Sequence, residues 1–511
     1  MPAWQLDFRP SPTLPALAWL LRARPPRAEL SFGSLVRCTP AGIVEGTWLG
    51  EGGPHAPLCT TTLFGSAVIA DGPALYVVPP GHMLEGVYVA QQPAGLVATN
   101  SLAALLVASG LELDPALAYP PLFNESVRGL ARTRIPTTGA PISAWFFDRL
   151  RLDLDGRLSV VAKPAEAPFA DFADYRRRLA NALASALANM PTASEMVVTI
   201  SSGYDGAAVA ALAAEQGCRL ALTVDEGKPV PGSADLADSG ADIGRRLGMA
   251  VTTIGRLDYQ GRDDRPEAEF LATGFTGEDV VLGGGEPMLH GRLLLTGFYG
   301  DGMWWRHRPP RPRLWRSDQS GSSLGEWRLR AGFVHLPLAC VGAIHQPLVQ
   351  RISGSAEMRP WFVGGRYDKP IPRRIVEEAG LPRGSFGVVK RAASATIHVD
   401  GPAALAPASA AALARFAAAE GRPLHFPRRP PPPLWRRGLL RAARRARLEA
   451  LAFRLEQHKL ERGVHDARFG SLLLRWAIDA VRPRYAELDP TAPARLTSPE
   501  ASAGQPSRAP P

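Results

Sequence analysis

The sequence predicts an α/β protein: a β-rich α+β region followed by a doubly wound parallel sheet. Three observations predict it. Short β-branched runs separated by Gly and Pro fill the chain up to about residue 165. From about residue 170, continuous apolar runs alternate with amphipathic or Ala-rich stretches, the pattern of buried parallel strands with crossover helices. Two of those runs end in Gly-rich turns that carry an aspartate, and open α/β sheets bind ligands at the carboxyl ends of their strands.

Each element follows from local chemistry. ALYVV (74–78), GVYVA (86–90) and GLVAT (95–99) read as strands bounded by turn residues. Asn100-Ser101 caps a helix from Leu102 to Ala108. LRLDLDGRLSVVA (150–162) reads as a hairpin about Asp155-Gly156. Asp171 caps a helix in which Leu179, Leu183 and Leu187 recur at i+4 and which Pro191 ends. Next come the strand MVVTI (196–200), the turn SSGYDG (201–206) and an Ala-rich helix (207–215). LALTV (220–224) and MAVTTI (249–254) are strands on either side of a helix from Ala241 to Leu247. RLLLT (292–296) is a fourth strand, and the turn GFYGDG (297–302) follows it. Gly283-Gly284-Gly285 has no strand before it and reads as a flexible loop. From about residue 405 the chain is Ala-rich and helical, Arg428 to Pro433 is an extended Pro-rich linker, and residues beyond about 486 form a disordered tail.

Composition narrows the function. Of 511 residues, 46% are apolar and 21% charged, which is ordinary globular usage. Cys38, Cys59, Cys218 and Cys340 form no CxxC, which argues against a disulfide framework or a zinc ribbon. No apolar run approaches the roughly 18 residues of a membrane span, and MPAWQLDFRPSP lacks the order of a signal peptide. A cytoplasmic protein with no membrane partner is expected. The net charge of +10 is local: residues 428–462 hold eleven Arg or Lys against three Glu. Leu440, Leu448, Leu451 and Leu455 give that segment an apolar stripe. It reads as a solvated basic helix packed on the body, with an anionic surface or nucleic acid as the alternative. A nucleic-acid partner is not expected of the chain.

The chemistry sits in the two turns. In SSGYDG, Gly203 and Gly206 let the backbone turn tightly, and the helix N-terminus that follows favours an anion. Ser201 and Ser202 add hydroxyls, and Asp205 can hold a divalent cation that bridges phosphates. The loop is neither a Walker A motif nor GxGxxG, and a plain strand-to-helix turn remains the alternative. Asp301 of GFYGDG can face Asp205 across the same crevice, or be a solvated turn aspartate. Trp304-Trp305 beside Arg306, His307 and Arg308 reads as a buried aromatic pair with a basic edge rather than a base-stacking platform.

In this order the motifs resemble the asparagine synthetase family. Ser201 to Gly206 stands where that family has S-G-G-x-D-S, and Leu294 to Gly302 is similar to its L-[ST]-G-x-G-x-D-E loop. Lys369-Pro370-Ile371-Pro372-Arg373-Arg374 resembles its K-x-x-x-R helix start. Leu381-Pro382 followed by Gly387-Val388-Val389-Lys390 resembles its late L-P…K segment. Upstream, Gly95 to Asp114 and Arg128 to Val161 are similar to parts of the glutaminase domain of those enzymes. The resemblance implies a degenerate glutaminase-like, Ntn-hydrolase-type domain at 1–168. It implies an ATP-binding domain of adenine-nucleotide α-hydrolase (PP-loop) type at 169–425. A Pro-rich linker and basic helical extension at 426–485 and the tail at 486–511 complete the expected division.

The same resemblance implies ATP and Mg²⁺ as cofactors. Asp205 and Asp301 would hold the metal. Ser201, Ser202, Gly203, Tyr204 and Asp205 would hold pyrophosphate. Thr223-Val224 and Thr296-Gly297 would line the adenine pocket, and Lys390 would be the catalytic lysine facing the phosphates. The departures are equally specific. Position 2 is proline where the glutaminase needs a cysteine nucleophile, so glutamine hydrolysis by that route is not expected. Ser202, Gly206, Phe298 and Gly302 replace a glycine, a serine and two carboxylates of the family pattern. The expected activity is AMP-forming ligation: adenylation of a small-molecule or peptide carboxylate and its transfer to ammonia or an amine. The alternative is a catalytically inactive homologue that binds nucleotide or acts as a scaffold.

Overall fold

The computed structural model describes residues 3–490, apart from Ala94, 118–125, 191–194, 229–236, 307–313, Ser317, 365–366, 388–390, 425–433, Arg447 and 449–466. Among the described residues the first region holds thirteen strands. They are β1 (Gln5–Pro10), β2 (Trp19–Arg24), β3 (Arg27–Phe32), β4 (Arg37–Thr39), β5 (Gly42–Trp48), β6 (Leu63–Asp71) and β7 (Ala74–Val78), then β8 (Val87–Gln92), β9 (Gly95–Thr99), β10 (Arg132–Ile135), β11 (Ile142–Trp145), β12 (Arg149–Asp153) and β13 (Leu158–Val161). They make a seven-stranded sheet, β1-β3-β2-β9-β8-β11-β10, and a six-stranded sheet, β13-β12-β7-β6-β5-β4. All pairs are antiparallel except β1 with β3.

The two sheets face each other across one apolar layer. Leu21, Leu30, Val89 and Ala98 from the first meet Ile43, Val68, Val77 and Leu150 from the second. Alternation along each strand turns Leu20, Ala90 and Val97 to the other face, where α1 (Leu102–Ser109) covers them. Ser101 caps α1 by accepting a hydrogen bond from the Ala104 N–H, and Gly110 ends it in the left-handed conformation.

The second region is built on a five-stranded sheet. β14 (Met196–Ile200), β15 (Leu220–Val224), β16 (Ala250–Ile254), β17 (Leu293–Thr296) and β18 (Val334–Pro337) run parallel in the order β16-β15-β14-β17-β18. The central strands are buried along nearly their whole length, which is why they read as continuous apolar runs. The chain moves from β14 outward to β16 and then crosses back to β17 beside β14. The strand order therefore reverses between β14 and β17, and their carboxyl ends frame a topological switch point.

Helices α2 (Phe172–Ala188), α3 (Tyr204–Glu215), α4 (Ala241–Arg246), α5 (Gly300–Met303), α6 (Gly325–Ala331) and α7 (Pro370–Glu378) belong to this region. Asp171 caps α2, and Leu179 and Leu183 are buried; Pro191, expected to end it, lies outside the described residues. Further on are α8 (Leu434–Arg445) and α9 (Ala467–Val481).

Several expectations are corrected. The Gly283–Gly285 run is not a flexible loop: it lies within a 3₁₀ helix, Glu278–Met288, with Gly283 and Gly285 buried. Helix α3 starts at Tyr204, inside the stretch read as a turn. The segment placed in a basic extension includes α9, whose Phe469, Leu473, Trp476 and Ala477 are buried in the main core. Ordered chain continues through Tyr485 and Leu488, both buried, past the expected start of the tail. Trp304 is fully buried, and its indole N–H donates to the Tyr175 hydroxyl at 3.0 Å; His307 and Arg308 lie outside the described residues.

Candidate functional site

A cavity opens at the carboxyl ends of β14 and β17. Ile200, Ser201, Asp205, Leu222, Val224, Val281 and Leu282 line one part of it. Gly297, Phe298, Tyr299 and Asp301 line another. β14 delivers Ser201 and, in the first turn of α3, Asp205. β17 delivers Gly297 and then Asp301 on α5.

Two glycines bring these turns together. A Cβ on Gly300 would sit 2.3 Å from Asp205 Cγ. A Cβ on Gly297 would sit 2.7 Å from the Asp205 carbonyl carbon and the Gly206 nitrogen. Any side chain at either position would drive the β17 turn off α3 and separate the two aspartates. Between those glycines, Tyr299 holds φ at 75°, strain that must be held by contacts elsewhere. The Met83 N–H from the first region donates to its hydroxyl at 2.6 Å.

The aspartates converge on a cation supplied by the chain. Lys369 Nζ lies 2.5 Å from Asp205 Oδ2 and 2.6 Å from Asp301 Oδ1. The lysine side chain is fully buried, whereas the two carboxylates keep slight exposure. Burial alone would lower the lysine's pKa, but Asp205 and Asp301 outweigh it and raise it above 10.5. The ammonium stays charged at neutral pH. It also lies 5.6 Å from the ring centroids of Trp305 and Tyr367. Lys369 immediately precedes α7, and Arg373, one turn on, reaches the Tyr204 hydroxyl.

The sequence-predicted residues divide into two groups. Ser201, Asp205, Val224, Gly297 and Asp301 line the cavity. Ser201 Oγ accepts from the Gly203 N–H at 3.2 Å, and among the described residues no side chain caps α3.

Four others are placed differently. Thr223 is buried with its hydroxyl accepting from the Gly240 N–H at 2.8 Å; strand alternation gives the cavity to Leu222 and Val224 instead. Thr296 is buried and shares a 2.9 Å hydrogen bond with His335 Nε2. Ser202 donates to Asp238 Oδ1 at 2.7 Å. Tyr204 is fully buried, against Tyr367 and Phe386. Gly203 supplies backbone at the turn. Lys390 lies outside the described residues.

Sequence reasoning also missed an acidic wall: Asp238, Glu278, Asp279 and Asp318 line the same cavity, with Arg391 beside them. Burial, then Asp279 and Asp318, raises the Glu278 pKa. Burial likewise raises Asp279, although the Gly321 and Ser323 N–H groups and the Ser323 hydroxyl donate to it. Nothing in the local sequence marked Glu278-Asp279, because their partners come from residues 318–323. Lys369 did leave a signal, the i, i+4 spacing to Arg373.

No known family profile matches the chain. Over 125 residues it is 34% identical to the tRNA(Ile)-lysidine synthase of Salinispora tropica. The overlap covers 24% of this chain and 36% of that enzyme, so the chain spans about a third of the curated relative it matches.

Proposed function

We propose that the protein is an ATP-dependent, AMP-forming ligase of asparagine-synthetase type. In this reading it activates a carboxylate as its adenylate and passes the acyl group to an amine, without glutaminase activity. One observation carries the reading. Turns from two neighbouring parallel strands, at the switch point of the sheet, bring Asp205 and Asp301 to opposite sides of one cation. The partial likeness to a PP-loop ligase supports an ATP-using domain.

The residues fit a divalent cation. The Lys369 ammonium, a positive charge held between the two carboxylates, supports this. Mg²⁺ needs only one or two carboxylates when phosphates complete its shell. Mg²⁺ bound there by Asp205 and Asp301 would take the place of the Lys369 ammonium and neutralise charge on pyrophosphate.

The chain does the rest. Ser201 and the open N-terminus of α3 hold pyrophosphate oxygens. Ile200, Leu222 and Val224 offer an apolar wall for adenine. Lys369, and in the family resemblance Lys390, face charge that grows on the leaving group. Phe298 and Gly302 remove two carboxylates from the family pattern, yet the wall of Asp238, Glu278, Asp279 and Asp318 keeps the cavity acidic. That wall suits a cationic amine acceptor. The first region is read as the degenerate Ntn-type domain.

The test is incubation with ATP, Mg²⁺ and a panel of carboxylates and amines. AMP and pyrophosphate formed in equal amounts, dependent on a carboxylate, are expected. ATP binding without either product under any pairing would favour the inactive, nucleotide-binding homologue, and no ATP binding at all would overturn both readings.

A further inference from the structure

Helix α8 (Leu434–Arg445) carries an apolar row that none of the described residues covers. Trp435, Leu439, Ala442 and Ala446 follow one another at i+4, i+3 and i+4, the spacing of a single helical face. Trp435 is 67% exposed and Leu439 42%. Ala442 and Ala446 are exposed as well, and the Ala446 N–H still donates to the Ala442 carbonyl, so the row is helical to its end. The adjoining side rests on the protein: Ala443, one turn on from Leu439, is buried and Leu440 half-buried. Of the stripe expected from sequence, Leu440 is half-buried and Leu448 exposed, while Leu451 and Leu455 lie outside the described residues. Arg441 and Arg445, both exposed, border the apolar row along one edge. From Leu434 to Leu448 the sequence holds six Arg and no Asp or Glu.

We propose that α8 is a membrane-surface helix that lays its Trp435–Leu439–Ala442–Ala446 row into an anionic lipid bilayer. Exposed Trp and Leu on one face, with arginine flanking and no acid, is what an interfacial helix needs. The arginines meet lipid phosphates while the row enters the acyl boundary. Nucleic acid would use the arginines but gain little from the apolar row. A second copy docked row to row would bring like charges together without compensation. Among the described residues no single helix is long and apolar enough to cross a bilayer, so the contact is at the surface.

Flotation of the full-length protein with phosphatidylglycerol vesicles tests this, with phosphatidylcholine vesicles and single-stranded RNA in parallel. Binding to phosphatidylglycerol, weak binding to phosphatidylcholine, and loss of flotation in Trp435→Glu/Leu439→Glu at an unchanged melting temperature are expected. Each basic residue near an anionic surface contributes about fivefold, so Arg441→Gln/Arg445→Gln should weaken binding by roughly thirtyfold. This pair keeps the test alive if the first variant fails to fold. Absence from the phosphatidylglycerol fraction, undiminished flotation of a folded stripe variant, or retention on RNA alone would each overturn the proposal.

Discussion

Replacing Lys369 with methionine gives a direct test of the site. The substitution keeps the length and volume of a fully buried side chain and removes only the ammonium. Asp205 and Asp301 are then left facing each other. At about 5 Å and an effective dielectric constant of about 20, two carboxylates repel by about 3 kcal/mol. Breaking a buried ion pair by removing one partner costs a similar 3–5 kcal/mol or so. Apo Lys369→Met should therefore unfold in denaturant with a loss on that scale.

Mg²⁺ then separates a cation site from a structural bridge. If the gap accepts a divalent ion, Mg²⁺ at about a hundred times its Kd restores roughly 2.7 kcal/mol. The wild type, whose ammonium already sits between the carboxylates, should gain less. The assay is denaturant unfolding of both proteins across a Mg²⁺ titration, with Ca²⁺ as a control for site size. A variant as stable as wild type without metal would refute the electrostatic account of the triad. A destabilised variant that Mg²⁺ does not rescue would refute the metal assignment of Asp205 and Asp301.

Other expectations are as specific. Asp205→Ala should weaken ATP binding in calorimetry only when Mg²⁺ is present; an equal loss without the metal would mark the aspartate as structural. Arg328→Met leaves the buried Glu45 and Glu85 without their 2.5 and 2.6 Å partner, and should cost about 3–5 kcal/mol in unfolding experiments. Burial of Lys163, followed by the Arg149 charge, depresses its pKa from 10.5 to about 7. The unfolded chain then binds the extra proton between those values, so native stability should rise with pH from about 7 to 10.5. The slope should reach at most about 1.4 kcal/mol per pH unit and flatten in Lys163→Met. Lys390→Ala should lower kcat by roughly a hundred- to a thousandfold with little change in KM for ATP, measured as AMP release.

Elements with strong local signals were legible in the sequence. The runs at 74–78, 95–99, 196–200 and 220–224 form strands with those bounds, because β-branched runs between turn residues need no distant information. Strand β18 was not read: VHLP is only four residues long and ends in proline, and its place in the sheet is set by β17. Helix α9 was absorbed into a basic extension because charge was weighed over the whole segment. Its own period, with Phe469, Leu472, Leu473 and Trp476 on one side, marked a core helix. At the site, type and position were legible but direction was not. Thr223 and Val224 were both assigned to the pocket, although neighbours on a strand face opposite ways. Lys369 carried a sequence signal, but its pairing with Asp205 and Asp301 needed the tertiary structure, since they lie 164 and 68 residues away in sequence.

The first region has a physical task of its own. A buried polar chain runs from its core to the strand that delivers Asp301. Trp19 donates to Ser66 at 2.8 Å, and Ser66 donates to Glu45 at 3.0 Å. Glu45 and Glu85 grip Arg328, and Glu85 lies 3.4 Å from His335. His335 shares its other ring nitrogen with Thr296, the residue before Gly297. A second tether runs from the Met83 N–H to Tyr299, whose left-handed backbone aims the turn at Asp205. Strain of this kind persists only where surrounding contacts over-determine it, and here one of those contacts comes from Met83, in the β7–β8 connection. The β-rich region therefore buttresses the turn that carries Asp301, through Glu85 on His335 and through Met83 on Tyr299.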